Sequence, residues 1–353
     1  MEDKLLKILK VVAPGTPLRE GLENILRAKT GALIVITDSP EIAEIAEGGF
    51  QLNADFSPAN LYELAKMDGA IIISSDLKKI VAANTQLVPN LSIPSSETGI
   101  RHRTAERVAK QIDALAISIS QRRGVITVYK GNVKYVLRDL GVILTKANQA
   151  LQTLEKYRSV FERVVTELSI LEFEEAVTLF DVTKSIQRAE MVLRVVTEIE
   201  KYISELGVEG RLITMQMEEL VANVEDEGLL VIQDYCSGAG EKSPESIMAM
   251  INSWPAEDLL DLSLITRALG YPGSTSILDQ NVSPRGYRIL EKIPRLPLPV
   301  IENLVQEFGS LKKILNATIQ ELDEVEGIGE VRARSIKEGL NRYREQLGQE
   351  RHV

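Results

Sequence analysis

The 353-residue chain has a single cysteine, Cys236, so it closes no internal disulfide and builds no cysteine-held zinc site. Aromatic residues make up only 5 % of it, so its cores must be aliphatic, filled by Leu, Ile and Val. Histidine is scarce as well, with His102 and His352 the only two. No run of about 18 uncharged apolar residues occurs, which argues against a membrane span. The opening stretch MEDKLLKILKVV is charged throughout and lacks the apolar centre of a secretion signal, so a cytoplasmic location is expected. What is present is enough hydrophobic content, 44 %, to exclude a disordered chain, and enough length for two or three domains.

The net charge of −10 speaks against nucleic-acid binding by the surface as a whole. The charge is uneven, however. Residues 285–353 carry 12 Lys and Arg against 11 Asp and Glu, while the rest carries 29 against 40. A near-neutral tail on an acidic body is compatible with local phosphate contact.

Three textures follow one another. The first, residues 1–140, reads as α/β with a central mixed sheet. Strand-length apolar runs lie at Gly31–Ile36, Ala70–Ser74, Ala114–Ile119 and Val125–Tyr129, the last two separated by a turn at Gly124. Helices are expected at Leu18–Lys29, Ser57–Lys66 and Thr104–Ile112, and Thr16-Pro17 and Ser57-Pro58 each place a capping residue before a proline. The second texture, residues 141–284, begins with 65 residues, Val142 to Leu206, without Gly or Pro. Apolar spacing such as Val160, Val164, Leu168 and Leu171 predicts long amphipathic helices. A turn at Gly207–Gly210 precedes a further helix, Arg211–Glu227. The segment Ser237–Pro284 is richer in Gly, Ser and Pro and reads as short helices and linker; its Gly238–Ser243 is a near miss to a phosphate-binding loop, with Glu241 where glycine is needed. The third, residues 285–353, is a compact all-α end punctuated by Pro294, Pro297 and Pro299.

That end contains Val325-Glu326-Gly327-Ile328-Gly329 between two helices. Glycines there let the backbone approach a phosphate, and the amides of the following helix point at the turn. Val325, Ile328 and Val331 are expected to anchor the hairpin to the core, with Arg332 and Arg334 adding contacts to a nucleic-acid backbone. The pattern closely resembles the helix-hairpin-helix DNA-binding family. It is not a dinucleotide fingerprint, because Arg332 stands where a third glycine is required and no strand precedes it. Upstream, Ile289–Ile301 resembles a degenerate first copy whose glycine positions hold Arg295 and Pro297.

Two clusters in the first region carry chemistry. Asp68-Gly69-Ala70 stands directly before a strand, and Thr98-Gly99-Ile100-Arg101-His102-Arg103-Thr104 directly before a helix. Basic side chains, a glycine and two hydroxyls at a helix start suit a polyphosphate, since the planar arginine fork donates two bonds at once. A plain turn and a solvated basic helix start remain the competing structural readings of these clusters.

Both clusters, with Tyr62–Met67 and Arg103–Gln111 around them, resemble the diadenylate cyclase family, in its form with a helical spine and a terminal helix-hairpin-helix. The resemblance spans essentially the whole chain and is least marked at Ser237–Ile277. It implies a transferase that condenses two ATP into cyclic di-AMP with release of two pyrophosphates. It implies Asp68, Arg101, His102 and Arg103 as the catalytic set. It implies an ATP site made of Asp68, Gly69, Ala70, Leu87, Thr98, Gly99, Ile100, Arg101, His102, Arg103, Thr104 and Ser120, and Mg²⁺ or Mn²⁺ held by Asp68 and His102. It implies DNA contact through Gly327, Ile328, Gly329, Arg332 and Arg334, with branched DNA such as four-way junctions as partner, and a homo-octamer. The competing functional class is a DNA-structure-binding protein whose ATP site only senses nucleotide.

Overall fold

The computed structural model describes residues 2–237, 243–273 and 275–350. The Gly238–Ser243 near miss therefore falls, all but Ser243, outside the described residues, as does His352. The chain divides into two compact units, residues 1–149 with 199–215, and residues 150–198 with 216–353. No helix among the described residues is long and apolar enough to cross a membrane.

The first unit is α/β. In chain order it holds α1 (Glu2–Val11), α2 (Pro17–Arg27), β1 (Ala32–Ile36), α3 (Ile42–Ile45), β2 (Ala46–Glu47), β3 (Phe50–Asp55), α4 (Pro58–Leu64), β4 (Ala70–Ile73), β5 (Lys79–Leu87), α5 (Ile100–Ile112), β6 (Leu115–Ser120), β7 (Val125–Lys130) and β8 (Val133–Val136). The sheet is mixed and eight-stranded, in the order β2-β5-β4-β1-β6-β7-β8, with β3 paired to β5. Only β1 and β4 run parallel; every other pairing is antiparallel. The central strands are buried on both faces, which is why they read as unbroken apolar runs. Their two-residue period still sorts the side chains. Ala32, Ile34 and Ile36 pack with Leu18, Leu22 and Leu61 of α2 and α4, whereas Leu33 and Val35 pack with Ala105, Val108 and Ala109 of α5. The α5 side is lined by small residues, Ala70 and Ala116 among them, so that helix sits close on the sheet.

Both proline-started helices are capped as their sequences require: Thr16 Oγ1 accepts from the Arg19 amide and Ser57 Oγ from the Asn60 amide, each at 3.1 Å. The third expected helix begins earlier than Thr104. Gly99 is its N-cap, so Arg101 to Thr104 form its first turn rather than precede it.

The Gly- and Pro-free stretch forms α6 (Leu140–Glu174) and α7 (Leu179–Leu206). The expected helix 211–227 is two helices, α8 (Arg211–Val221) and α9 (Val224–Tyr235), broken where Asn223 adopts a left-handed φ of 66°. Then follow α10 (Pro244–Asn252), α11 (Leu262–Ala268), α12 (Tyr287–Glu291), α13 (Leu298–Phe308), α14 (Leu311–Asn316), α15 (Ile319–Asp323) and α16 (Glu330–Glu350). Two aliphatic cores serve the second unit. One is built on Leu168, Ile186, Val231 and Ile265, and the other on Ile289, Leu304, Leu322 and Ile336.

Between these cores lies a buried charge cluster. The fully buried Arg288 of α12 bonds Glu172 of α6 and, at 2.9 Å, Glu227 of α9. Glu227 also pairs with Lys292, and Tyr235 donates to Glu172 at 2.8 Å. Asp234 caps the start of α12 by accepting from the amides of Gly286, Tyr287 and Arg288 at 2.7, 2.8 and 3.1 Å. Three acids thus face two bases, and burial decides which acid gives way. Burial pushes Glu172 up to about 7 despite Arg288 beside it, and raises Asp234. Burial opposes ionisation of Glu227 too, but Arg288 and Lys292 outweigh it and hold that carboxyl below its usual range. Arg288 stays charged because its two carboxylates overcome its own burial.

Candidate active site and nucleic-acid interface

The first-unit site is assembled at the start of α5. Gly99 is extended, with φ −82° and ψ 140°, and the helix opens directly into Ile100, Arg101, His102, Arg103 and Thr104. A first-turn amide has no acceptor within its helix, so this end attracts anions. The Arg103 amide bonds back to the Gly99 carbonyl at 2.9 Å, and its guanidinium donates to the Thr98 carbonyl at 3.3 Å. Ile100 is 79 % exposed. Arg101 reaches across to the turn before β4, where its Nη2 lies 3.7 Å from the Asp68 carboxylate. Asp68 is fully exposed. Gly69 beside it has φ +86°, and a Cβ there would meet the Asn84 carbonyl carbon at 2.8 Å. Packing of this turn on β5 therefore demands glycine before any ligand does. Ala70 is buried under α5.

His102 turns inward. It is 7 % exposed, and its Nδ1 lies 3.1 Å from the hydroxyl of Ser118, a fully buried residue of β6. Its Nε2 is buried and has no hydrogen-bond partner among the described residues. Burial lowers its pKa; the Glu97 charge opposes this, while Arg123, Lys134 and Arg101 add to it. The imidazole is therefore neutral at pH 7, and Nε2 is an unused donor or ligand position depending on which nitrogen carries the proton.

The loop leading into Thr98 and Gly99 is held by the side of α5 itself. Glu106 accepts from Ser95 Oγ at 2.5 Å and from the Ser96 amide at 3.1 Å, Arg107 donates to the Ile93 carbonyl at 2.9 Å, and Lys110 to the Pro94 carbonyl at 2.9 Å. Glu97 is tied down separately, accepting from Tyr129 at 2.9 Å and pairing with Lys134. Burial would raise the Glu97 pKa, but those two partners win and keep it ionised.

Residues 99–102 and 119–122 line a cavity of about 710 Å³, ample for a nucleotide. Of the sequence-expected site residues, Gly99, Ile100, Arg101, His102 and Ser120 meet there, with Asp68 joined through Arg101. Leu87 lies instead in the core, packed with Leu33, Val35 and Ala105. Sequence reasoning missed Arg122 and Arg123, in the turn between β6 and β7. Arg122 lines the cavity, and Arg123 lies 3.5 Å from Thr98 Oγ1. The signal was available, since Gln121-Arg122-Arg123-Gly124 puts two cations in an expected hairpin turn beside Ser120. Among the described residues no group of three or more His, Cys, Asp or Glu side chains could hold a metal.

In the second unit the two halves of the terminal domain share one hairpin geometry. The Ile328 amide bonds the Val325 carbonyl at 3.0 Å, and the Leu296 amide bonds the Ile293 carbonyl at 3.4 Å. The third residue of each turn is left-handed: Gly327 at φ 80° and Arg295 at φ 63°. The degenerate copy thus keeps the bend without its glycine. It does not keep the donors, because Pro297 and Pro299 remove two amides at the start of α13. In the intact copy Gly329 leads into α16, and Asn303 braces the turn by donating to the Glu326 carbonyl at 2.9 Å. Val325 and Ile328 are buried as expected, but Val331 is 82 % exposed; Ala333, Ile336 and Leu340 form the buried face of α16. Arg332 bonds the Gly327 carbonyl and Arg334 pairs with Glu330 at 2.6 Å, both exposed.

Residues 19–134 match the family model for the nucleotide-binding region of the DisA bacterial checkpoint controller, residues 137–278 its linker region, and residues 300–346 a helix-hairpin-helix motif. The DNA integrity scanning protein DisA of Carboxydothermus hydrogenoformans is 69 % identical over 345 residues, 98 % of each chain. That of Clostridium perfringens is 61 % identical over 346 residues, 98 % of this chain and 97 % of the relative. Among solved structures, a double mutant of DacA from Staphylococcus aureus aligns over 39 % of this chain and 89 % of its own, with 25 % identity and a TM-score of 0.30. A hypothetical membrane spanning protein from Bacillus cereus aligns over 35 % and 62 %, with 23 % identity and a TM-score of 0.32.

Proposed function

This chain belongs to the family of DisA, the DNA integrity scanning proteins, and is a diadenylate cyclase; we propose that it couples the condensation of two ATP into cyclic di-AMP to the sensing of branched DNA. The observation that carries the catalytic assignment is Arg101, which lines the cavity at the first turn of α5 and lies 3.7 Å from Asp68.

In the reaction each 3′-hydroxyl attacks the α-phosphate of the other ATP. A new P–O bond forms, the bond to the β-phosphate breaks, and pyrophosphate leaves. The product is two-fold symmetric, so two copies of the site face one another, each holding one ATP. Arg101 and Arg103 bind phosphate oxygens and steady the charge on the departing pyrophosphate, aided by the amides of the same turn. Residues 98–100, Thr104 and Ser120 shape the pocket, while Leu87 and Ala70 lie in the core packed against α5. The exposed Asp68 takes the proton of the opposing nucleotide's 3′-hydroxyl in this reading.

A divalent ion, Mg²⁺ or Mn²⁺, supplies neutralisation of the phosphate charge when bound. The residues that would hold it are Asp68 and, through Nε2, His102. So sparse a donor set would suit an ion delivered with the triphosphate rather than one held by the protein alone, and that ion would neutralise phosphate charge.

The intact hairpin at Gly327, Ile328 and Gly329, with Arg332 and Arg334, contacts the DNA backbone. One donor-bearing hairpin per chain makes for weak binding, which a homo-octamer presenting several tails to a four-way junction would multiply. The test is incubation with ATP and Mg²⁺ or Mn²⁺, with and without a four-way junction, followed by product identification. Asp68→Asn should abolish cyclic di-AMP formation and leave junction binding unchanged. Normal turnover in that variant would refute the role of Asp68, and a bound junction without effect on cyclic di-AMP formation would refute the coupling.

A further inference from the structure

Gly31 lies between α2 and β1, buried, and its backbone gives no reason for a glycine: its φ is outside the left-handed region. Alanine could adopt that conformation without strain. The reason lies in the space above it. A Cβ on residue 31 would stand 2.3 Å from Arg101 Nη1, 3.3 Å from Arg101 Cζ and 3.2 Å from the Ile119 carbonyl oxygen. The first is far closer than side chains pack, while the other two are only a few tenths of an ångström tighter than ordinary contact; Nη1 belongs to the guanidinium whose other terminal nitrogen faces Asp68 at 3.7 Å.

We propose that Gly31 is a positioning residue for the cyclase reaction: its missing side chain is the seat of the Arg101 guanidinium, and that seat aims the arginine fork at Asp68 and the nucleotide phosphates. The inference rests on Arg101 belonging to the ATP site. A flexible side chain clamped on one face by a flat, buried backbone loses its alternative poses before substrate arrives, which is what preorganised phosphate binding requires. The atom in severe clash is the far end of that side chain, and the Ile119 carbonyl need give by only a few tenths of an ångström, so a methyl at position 31 is accommodated chiefly by moving the guanidinium. Restoring an ordinary contact shifts it by about 1 Å, and a displacement of that size in an active site costs on the order of 10²-fold in rate.

The experiment compares the full chain with Gly31→Ala, Arg101→Ala and the double variant, reading kcat and KM for cyclic di-AMP formation together with thermal unfolding. Gly31→Ala should unfold at the parent temperature yet lose roughly 10²-fold in kcat with a smaller change in KM. The double variant should be no slower than Arg101→Ala alone, because once the guanidinium is gone its seat has no work. A companion pair, Arg101→Lys with and without Gly31→Ala, should differ by much less than 10²-fold, since the compact ammonium carries no planar fork to displace. Parent-like turnover of Gly31→Ala alongside a dead Arg101→Ala would overturn the proposal and leave the site assignment standing. An active Arg101→Ala would instead sink the site assignment. If Gly31→Ala fails to fold, its unfolding in the Arg101→Ala background decides: recovery supports the seat, and persistent instability shows a backbone role and overturns it.

Discussion

Replacing Arg288 by methionine should be among the most damaging single changes available in the second unit. The guanidinium is fully buried and bonds two carboxylates, Glu172 and Glu227. Methionine fills much of the same volume, so the cavity contribution is small and the loss is chiefly electrostatic. Lys292 still serves Glu227, but among the described residues Glu172 retains only the Tyr235 hydroxyl. Breaking a buried pair from one side costs about 3–5 kcal/mol. For a folding unit of this size each kcal/mol moves the midpoint by roughly 2–4 °C, so a fall of about 6–20 °C is expected. The pH sets where in that range the result lies. Glu172 already titrates near 7 with Arg288 in place, and without it will hold its proton to higher pH, which shelters the variant in mild acid. The deficit should therefore grow from pH 6 to pH 8. Calorimetry and urea unfolding at both pH values measure it. A variant within about 1 kcal/mol of the parent at pH 8 would refute the view that this arginine neutralises the cluster.

Two further predictions follow from the same geometry and from the hairpin. Glu172 has a folded pKa above its unfolded one, so its contribution to stability is fully present below about pH 4.5 and is lost as pH rises through about 7; Glu172→Gln should flatten that slope and match or exceed the parent at pH 8, and an unchanged slope would shift the titration to Asp234. Affinity for a four-way junction should fall steeply with added salt, because the contacts are to phosphates, and Arg332→Ala should reduce the slope; a salt-independent affinity would exclude the hairpin as the contact.

Much of the first unit was legible because its central strands are sandwiched. Residues buried on both faces must be apolar throughout, so β1, β4, β6 and β7 announce themselves. β3 was missed for the opposite reason: it is exposed along its whole length and carries no pattern. β5 was missed because its pairing with β4 shifts register across Asn84, left-handed at φ 54°, which breaks the two-residue period and leaves Ala82 and Ala83 both buried. Thr104 looked like a helix start because the residues before it are basic, yet a bare glycine, Gly99, caps the helix. Val331 was assigned to the core by its three-residue spacing from Ile328, but Ile328 sits in the turn and the helical phase begins afresh at Glu330. Asp68 and Arg101 were found as motifs, whereas Gly31 and Ser118 act through residues about 70 and 16 positions away, and no local pattern carries that information. The same lies behind Arg288. A truncation at Pro284, which the composition invites, would strip the partner from Glu172 and confound any test of the tail.

The clamp of Glu106, Arg107 and Lys110 on the loop before Thr98 has a kinetic meaning. One rigid helix carries both the phosphate-facing turn and the anchors of the loop beside it, so this half of the site has little left to close. Asp68 meanwhile stands in bulk water until something covers it. In the facing pair proposed above, the opposing copy would be that cover. If that pair forms, turnover would be paced by encounter rather than by closure, and on dilution the rate per chain should fade as pairs come apart, long before any chain unfolds.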